Sequence, residues 1–270
     1  RIAAGAYHSL FIKTDGSLWA MGRNHVGQLG TGNTTQQNSP VQIVASGVTR
    51  IAAGAYHSLF IKTDGSLHAM GRNNYGQLGT GNMTDKTSPT QIVAFGVIQI
   101  AAGQNHSLFL KTDGSLHAMG QNDKGQLGTG STTDKNSPIQ VVASGVVQVV
   151  AGTYHSLFLK SDGSLHAMGL GNDGQLGAGN TTDQNSPVQV VASGVIQIAA
   201  GSHHSLFLKT DGSLWAMGRN NYGQLGTGNT TDQNSPVQIV SSGVETLFDI
   251  LPADGGYNSG DGGYGSGDGG

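Results

Sequence analysis

The stretch Ala53-Gly54-Ala55-Tyr56-His57-Ser58-Leu59-Phe60-Ile61-Lys62-Thr63-Asp64-Gly65-Ser66-Leu67 decides the fold. It returns every 49 residues with few changes, so its histidine recurs as His8, His57, His106, His155 and His204, with no insertion or deletion. A fixed period of this size is one supersecondary unit, copied and stacked. Inside the stretch, two apolar runs flank Asp64-Gly65. Glycine accepts the positive φ of a tight turn, so the pair reads as a β-hairpin.

Working outward, Gly47 to Gly54 reads as a short strand whose Ala52 and Ala53 suit a crowded place. The hairpin strands are Ser58–Lys62 and Leu67–Met70. A long loop follows from Arg72 to Ser88, with a glycine-rich core Gly76-Gln77-Leu78-Gly79-Thr80-Gly81 and Leu78 as its apolar anchor. Pro89–Val93 closes the unit as a fourth strand, with proline tolerated at a strand's first residue. Four short strands per unit is the pattern of a propeller blade. No 3.6-residue period appears, which excludes a helical solenoid, and a parallel β-helix needs shorter coils. The expected fold is an all-β propeller of five four-stranded blades over residues 1–244. Residues 245–270 are expected to form a terminal strand and a glycine-rich tail.

The units resemble repeats of the regulator of chromosome condensation family. The shared text is Ala-Ala-Gly-x-x-His-Ser-Leu, then Asp-Gly-x-Leu, then Gly-x-Asn-x-x-Gly-Gln-Leu-Gly-x-Gly, then Ser-Pro, across residues 1–244. The resemblance implies a β-propeller, most often of seven blades. Five repeats then make either a five-bladed ring or an incomplete set. The family's nucleotide-exchange activity resides in insertions and particular loop residues, and these regular repeats carry no insertion, so that activity is not transferred.

Composition narrows the function classes. Thirteen Lys+Arg against 16 Asp+Glu, 11% charged residues and a net charge of −3 leave no basic patch for a phosphate backbone, which excludes nucleic acid as a partner. The absence of cysteine excludes disulfides, thiolate metal sites and a thiol nucleophile, without fixing the compartment. No apolar run approaches the ~18 residues that span a bilayer. Arg1 in place of methionine reads as a processed or an artificial end.

The histidine series tempts a metal reading. The repetition favours a structural one, in which each neutral imidazole satisfies loop backbone within its own blade. A second series, Trp19, His68, His117, His166 and Trp215, offers flat side chains, read first as plain blade packing and second as a stacking or protein-contact surface. No acid–base pair, nucleophile set or phosphate-cradling loop stands out, so the chain reads as non-enzymatic, without cofactor or metal. The four matches to the Asn-x-Thr acceptor pattern, at Asn33, Asn82, Asn180 and Asn229, read as a coincidence of loop composition.

Variation between repeats gathers in two places. One is the pair before each histidine, which supplies Tyr7, Tyr56, Asn105, Tyr154 and His203. The other is the start of the long loop, which supplies Arg23, His25, Arg72, Tyr75, Lys124, Asp173, Arg219 and Tyr222. Loops on a rigid scaffold are where binding residues sit. With the second series, these make the candidate binding surface.

The ends break the pattern. After Gly243-Val244 the chain continues Glu245-Thr246-Leu247-Phe248-Asp249-Ile250-Leu251, and then an Asp-Gly-Gly-Tyr heptad repeat fills the tail. The tail aspartates are too sparse for a calcium site. Leu247, Phe248, Ile250 and Leu251 form a candidate assembly strand, either latching beside Arg1–Gly5 or adding to another subunit. The leading expectation is an extracellular or cell-surface bacterial protein that binds a protein or glycan through one face. A self-assembling fibre or surface-layer subunit is the alternative, with an inhibitor of one enzyme after it.

Overall fold

A computed structural model describes residues 1–245. Leu247, Phe248, Ile250, Leu251 and the tail lie outside the described residues. The chain builds five four-stranded antiparallel sheets, each with its strands in sequence order. Blade 2 stands for all: an inner strand Val48–Ala53, a second His57–Lys62, a third Leu67–Gly71 and an outer Lys86–Val93. The expected hairpin is present. Gly65 holds φ at +73°, and the Asp64 carboxylate accepts the Ser66 amide at 2.9 Å. The Ser66 hydroxyl and amide hold the Asp64 carboxyl below the usual carboxylate range.

The outer strand corrects the sequence reading. It starts at Lys86, three residues before Pro89, so the proline is interior. It is tolerated because the strand is a sheet edge and Pro89 falls at a register shift between the pairs made by Ala69 and Gly71.

Alternation along the second strand sends side chains to both neighbouring blades. Leu59 and Ile61 face forward and pack on Val97, Phe109 and Met119 of blade 3. Phe60 faces back and packs on Leu10, Leu18 and Leu29 of blade 1. The same clusters fill the junctions of blades 3 and 4 and of blades 4 and 5. The core is therefore a series of blade junctions. Each buried phenylalanine or leucine contributes about 1.5–3 kcal/mol.

The histidines tie one blade to the next, which corrects the own-blade expectation. His57 Nε2 lies 2.9 Å from Ser107 Oγ of blade 3, and Ser107 Oγ donates to the Gln77 carbonyl of blade 2 at 2.8 Å. Ser107 has one proton and gives it to Gln77, so Nε2 is the donor and Nδ1 is bare. His8–Ser58–Gln28, His106–Ser156–Gln126 and His155–Ser205–Gln175 repeat the relay. The Nδ1 atoms of all four are buried without a partner. Burial drives the pKa of His8 down to about 4, and those of His57, His106 and His155 to about 3.

The long loop folds around a buried asparagine. Asn73 Nδ2 donates to Thr80 Oγ1 and to the carbonyls of Asn82 and Thr84, while its Oδ1 accepts the Leu78 amide at 2.9 Å. Asn24, Asn122 and Asn220 repeat the arrangement. Asn73→Ala leaves the buried Leu78 amide unpaired and frees the loop carbonyls that Asn73 gathers, so it is expected to cost about 2–4 kcal/mol. A thermal melt should show a midpoint lower by about 5–15 °C. An unchanged midpoint would mean that the glycine-rich turns hold the loop unaided.

The five blades form an open arc. Leu206 and Leu214 on the front of blade 5 are partly exposed, whereas Leu157 and Leu165 on blade 4 are buried. Gly223, Gly228 and Gly243 have nothing within 4 Å of an added Cβ, whereas Gly174 and Gly179 meet blade 5. The rear of blade 1 is likewise uncovered, with Phe11 and Met21 partly exposed where Phe60 and Met70 are buried.

Candidate functional site

One backbone bond per blade joins the two variable segments. The amide of each loop's first residue donates to the carbonyl of the residue before the histidine: Arg23 to Tyr7, Arg72 to Tyr56, Gln121 to Asn105, Leu170 to Tyr154 and Arg219 to His203, each at 2.9 Å. All five pairs therefore lie at the end of the blades opposite the Asp-Gly hairpins. At the axis, the turns preceding the histidines enclose a well of about 580 Å³ lined by Ala-Gly backbone from every blade, with Tyr7 and Tyr56 in its wall. Between blades, Gln104 N donates to Thr153 O at 3.3 Å and Thr153 N to Ser202 O at 3.2 Å, which ties the rim together.

The strongest chemistry sits over blades 1 and 2. The Tyr7 and Tyr56 rings are 5.9 Å apart. The Arg23 guanidinium lies 5.4 Å from the Tyr7 centroid and 5.8 Å from Tyr56, and that of Arg72 lies 4.7 Å from Tyr56. His25 meets the Tyr56 edge at 5.6 Å. Burial first, then Arg23 and Arg72, lowers the His25 pKa, with Asp85 opposing, so His25 is neutral near pH 7. Across blades 4 and 5, His203 Nδ1 lies 3.1 Å from Asp173 Oδ2. Among the described residues, neither Arg23 nor Arg72 has a carboxylate within 4 Å. Stacking on aromatic faces fixes a guanidinium while leaving its N–H fork free. Such a pair suits a partner's carboxylate.

The remaining candidates divide. Asn105 is committed internally, donating to Gln121 Oε1 at 3.0 Å. Tyr75, Lys124, Tyr154 and Arg219 are partly exposed at the loop end, and Tyr222 is 87% exposed. Trp19, His68, His117, His166 and Trp215 do not join this surface. They lie on rear blade faces toward the hairpins, each stacked on a phenylalanine, at 4.9 Å for Phe60–His68 and 6.0 Å for Phe207–Trp215. Lys13 Nζ covers Trp19 at 3.7 Å, and Ser17 Oγ accepts its indole N–H at 2.8 Å. The relay serines and the loop asparagines escaped sequence reasoning. Their partners are up to 50 residues away or are main-chain groups. Among the described residues no group of three or more His, Asp or Glu could hold a metal.

Sheets stacked around an axis, with variable loops gathered on one face, define a β-propeller, a fold commonly used as a protein-binding scaffold. Five successive matches to the regulator of chromosome condensation (RCC1) repeat cover residues 15–61, 64–110, 113–159, 162–208 and 211–250. The chain belongs to that family. A solved structure of human WBSCR16 is similar at 27% identity and TM-score 0.77, with 88% of this chain and 66% of that one covered. Yeast RCC1 (Prp20), solved bound to Kap60, matches at 24% identity and TM-score 0.77, with 88% and 62% covered. Prp20p from Saccharomyces cerevisiae, solved in work on its binding to Gsp1p and histones, matches at 24% and 0.75, with 88% and 64% covered. The chain thus spans 62–66% of the length of these relatives.

Proposed function

We propose that this chain is a non-enzymatic binding protein that engages a protein partner through the loop face around its axial well. The observation that carries the reading is the pair of arginines, Arg23 and Arg72, stacked on Tyr7 and Tyr56 at the rim with no carboxylate within 4 Å among the described residues. Aromatic residues and arginine dominate protein interfaces energetically, whereas the charge-poor remainder of the face serves as complementarity. The fold fits a scaffold of this kind, and the yeast relatives have protein partners of their own.

A labelled glutamate-rich peptide is the direct probe. Fluorescence anisotropy is expected to show binding that weakens with salt. The double variant Arg23→Ala/Arg72→Ala should bind at least tenfold more weakly with an unchanged melting midpoint. Wild-type protein indifferent to the peptide, or a double variant that binds equally well, would refute the reading. Salt-insensitive binding to a glycan array would favour a glycan instead. The second reading, a subunit joined through its ends, is favoured by the uncovered faces of blades 1 and 5.

A further inference from the structure

The front of blade 5 is built to receive a strand. Every described junction begins alike. A glycine near φ +80° turns the chain out of one blade, and the next valine's amide bonds the hairpin glycine carbonyl behind it. Val48 N to Gly16 O measures 2.9 Å, Val97 N to Gly65 O 3.0 Å, and Val146 N to Gly114 O and Val195 N to Gly163 O 3.1 Å. At the end of blade 5 the same device appears once more. Gly243 has φ +82°, and Val244 N donates to Gly212 O at 3.1 Å. Val244 is thus placed as the first residue of a further inner strand, although no sixth blade is described.

Sequence register supplies the occupant. In the four described junctions, the residue three after this valine is Ile51, Ile100, Val149 or Ile198, and each packs on front-face leucines of the preceding blade. Three residues after Val244 stands Leu247. The face it would meet holds Leu206 and Leu214, partly exposed, and His204, which has no serine from a following blade. We propose that residues 246–251 of this chain dock on the front of blade 5 as a sixth inner strand, with Leu247 seated against Leu206. Phe248, one residue on, then points away from blade 5, because successive strand residues face opposite sides.

The absence of cysteine makes the test clean. Leu157→Cys/Ile198→Cys places a pair in the described junction of blades 4 and 5, and sets the reference yield of disulfide crosslink formed when the reduced, unfolded chain is refolded in air. The equivalent pair in the full chain is Leu206→Cys/Leu247→Cys. It is expected to crosslink within the monomer at a comparable yield, and Leu206→Cys/Phe248→Cys much less. In the cysteine-free chain, Leu247→Asp should speed amide exchange across residues 204–218, a second readout that needs no thiol. Crosslinking only between molecules would overturn the proposal in favour of a second copy on this face. No crosslink above the Phe248 control, with the reference pair reacting, would overturn it as well.

Discussion

Acidification from pH 7 to pH 5 is expected to remove most of the protein's stability. His8, His57, His106 and His155 are buried at blade junctions, and burial lowers their pKa values from 6.5 to about 4 for the first and about 3 for the others. Below pH 6.5 the unfolded chain takes up a proton at each of these residues and the folded chain does not. The unfolded state therefore binds more protons between about pH 6.5 and 3, and stability falls as the pH falls through that window. Each histidine contributes a loss of about 2 kcal/mol by pH 5, so the four together cost about 8 kcal/mol, comparable with the whole stability of a typical domain. Urea midpoints at pH 7, 6 and 5 measure this directly. A midpoint constant across that range would mean that the junction imidazoles carry protons in the folded protein. The physical reason for the depression is specific. Nε2 already donates to serine and Nδ1 faces no acceptor, so a second N–H would be buried and unpaired.

Gly103→Ala is expected to be among the most damaging single methyls in the chain. Gly103 does not need a left-handed backbone; it needs room. An added Cβ would fall inside contact distance of the His106 ring and 2.6 Å from the Gly152 carbonyl of the next blade. The ring cannot turn aside without leaving Ser156, and the carbonyl belongs to a neighbouring main chain. The methyl must part blades 3 and 4, at an expected cost of about 4–5 kcal/mol and about 10–20 °C in Tm. Gly201→Ala is the internal control. There the methyl meets only the ring of His204, which is partly exposed and has no serine to hold it. Its Tm should fall by less than half as much. Equal losses would show that the glycine serves the turn and not the junction.

The contrast between these two glycines explains what was legible in the sequence. The period and the Asp64-Gly65 turn chemistry act within one unit, so blade count, strand order and hairpins could be read from residues close in the chain. The start of the outer strand was misread because a bulge in the outer strand itself, between Lys86 and Thr90, carries the pairing past the proline. The role of His57 was half legible. Repetition marked it as structural, but its serine sits 50 residues away in another copy, and nothing in a single unit points there. The face was legible as a set of varying positions. Its use of Arg23 and Arg72 over two tyrosines was not, because stacking depends on how neighbouring blades splay. The Trp19 and His68 series could be read as blade packing or as contact, because the phenylalanine stacked beneath each ring is not apparent from the series itself.

The relay that links each blade to the next runs in one direction. His8, His57, His106 and His155 each reach forward 50 residues to a serine, and each such serine reaches back 30 residues to a carbonyl. No bond in the series closes on itself or names a particular copy. A duplication or loss of one whole 49-residue unit therefore leaves every interior histidine with a serine and every interior front face with a matching rear. Such a gene can change its number of repeats in a single genetic event without passing through a misfolded ancestor. Near-identity among the copies, which makes that recombination easy, is the state in which this chain is found.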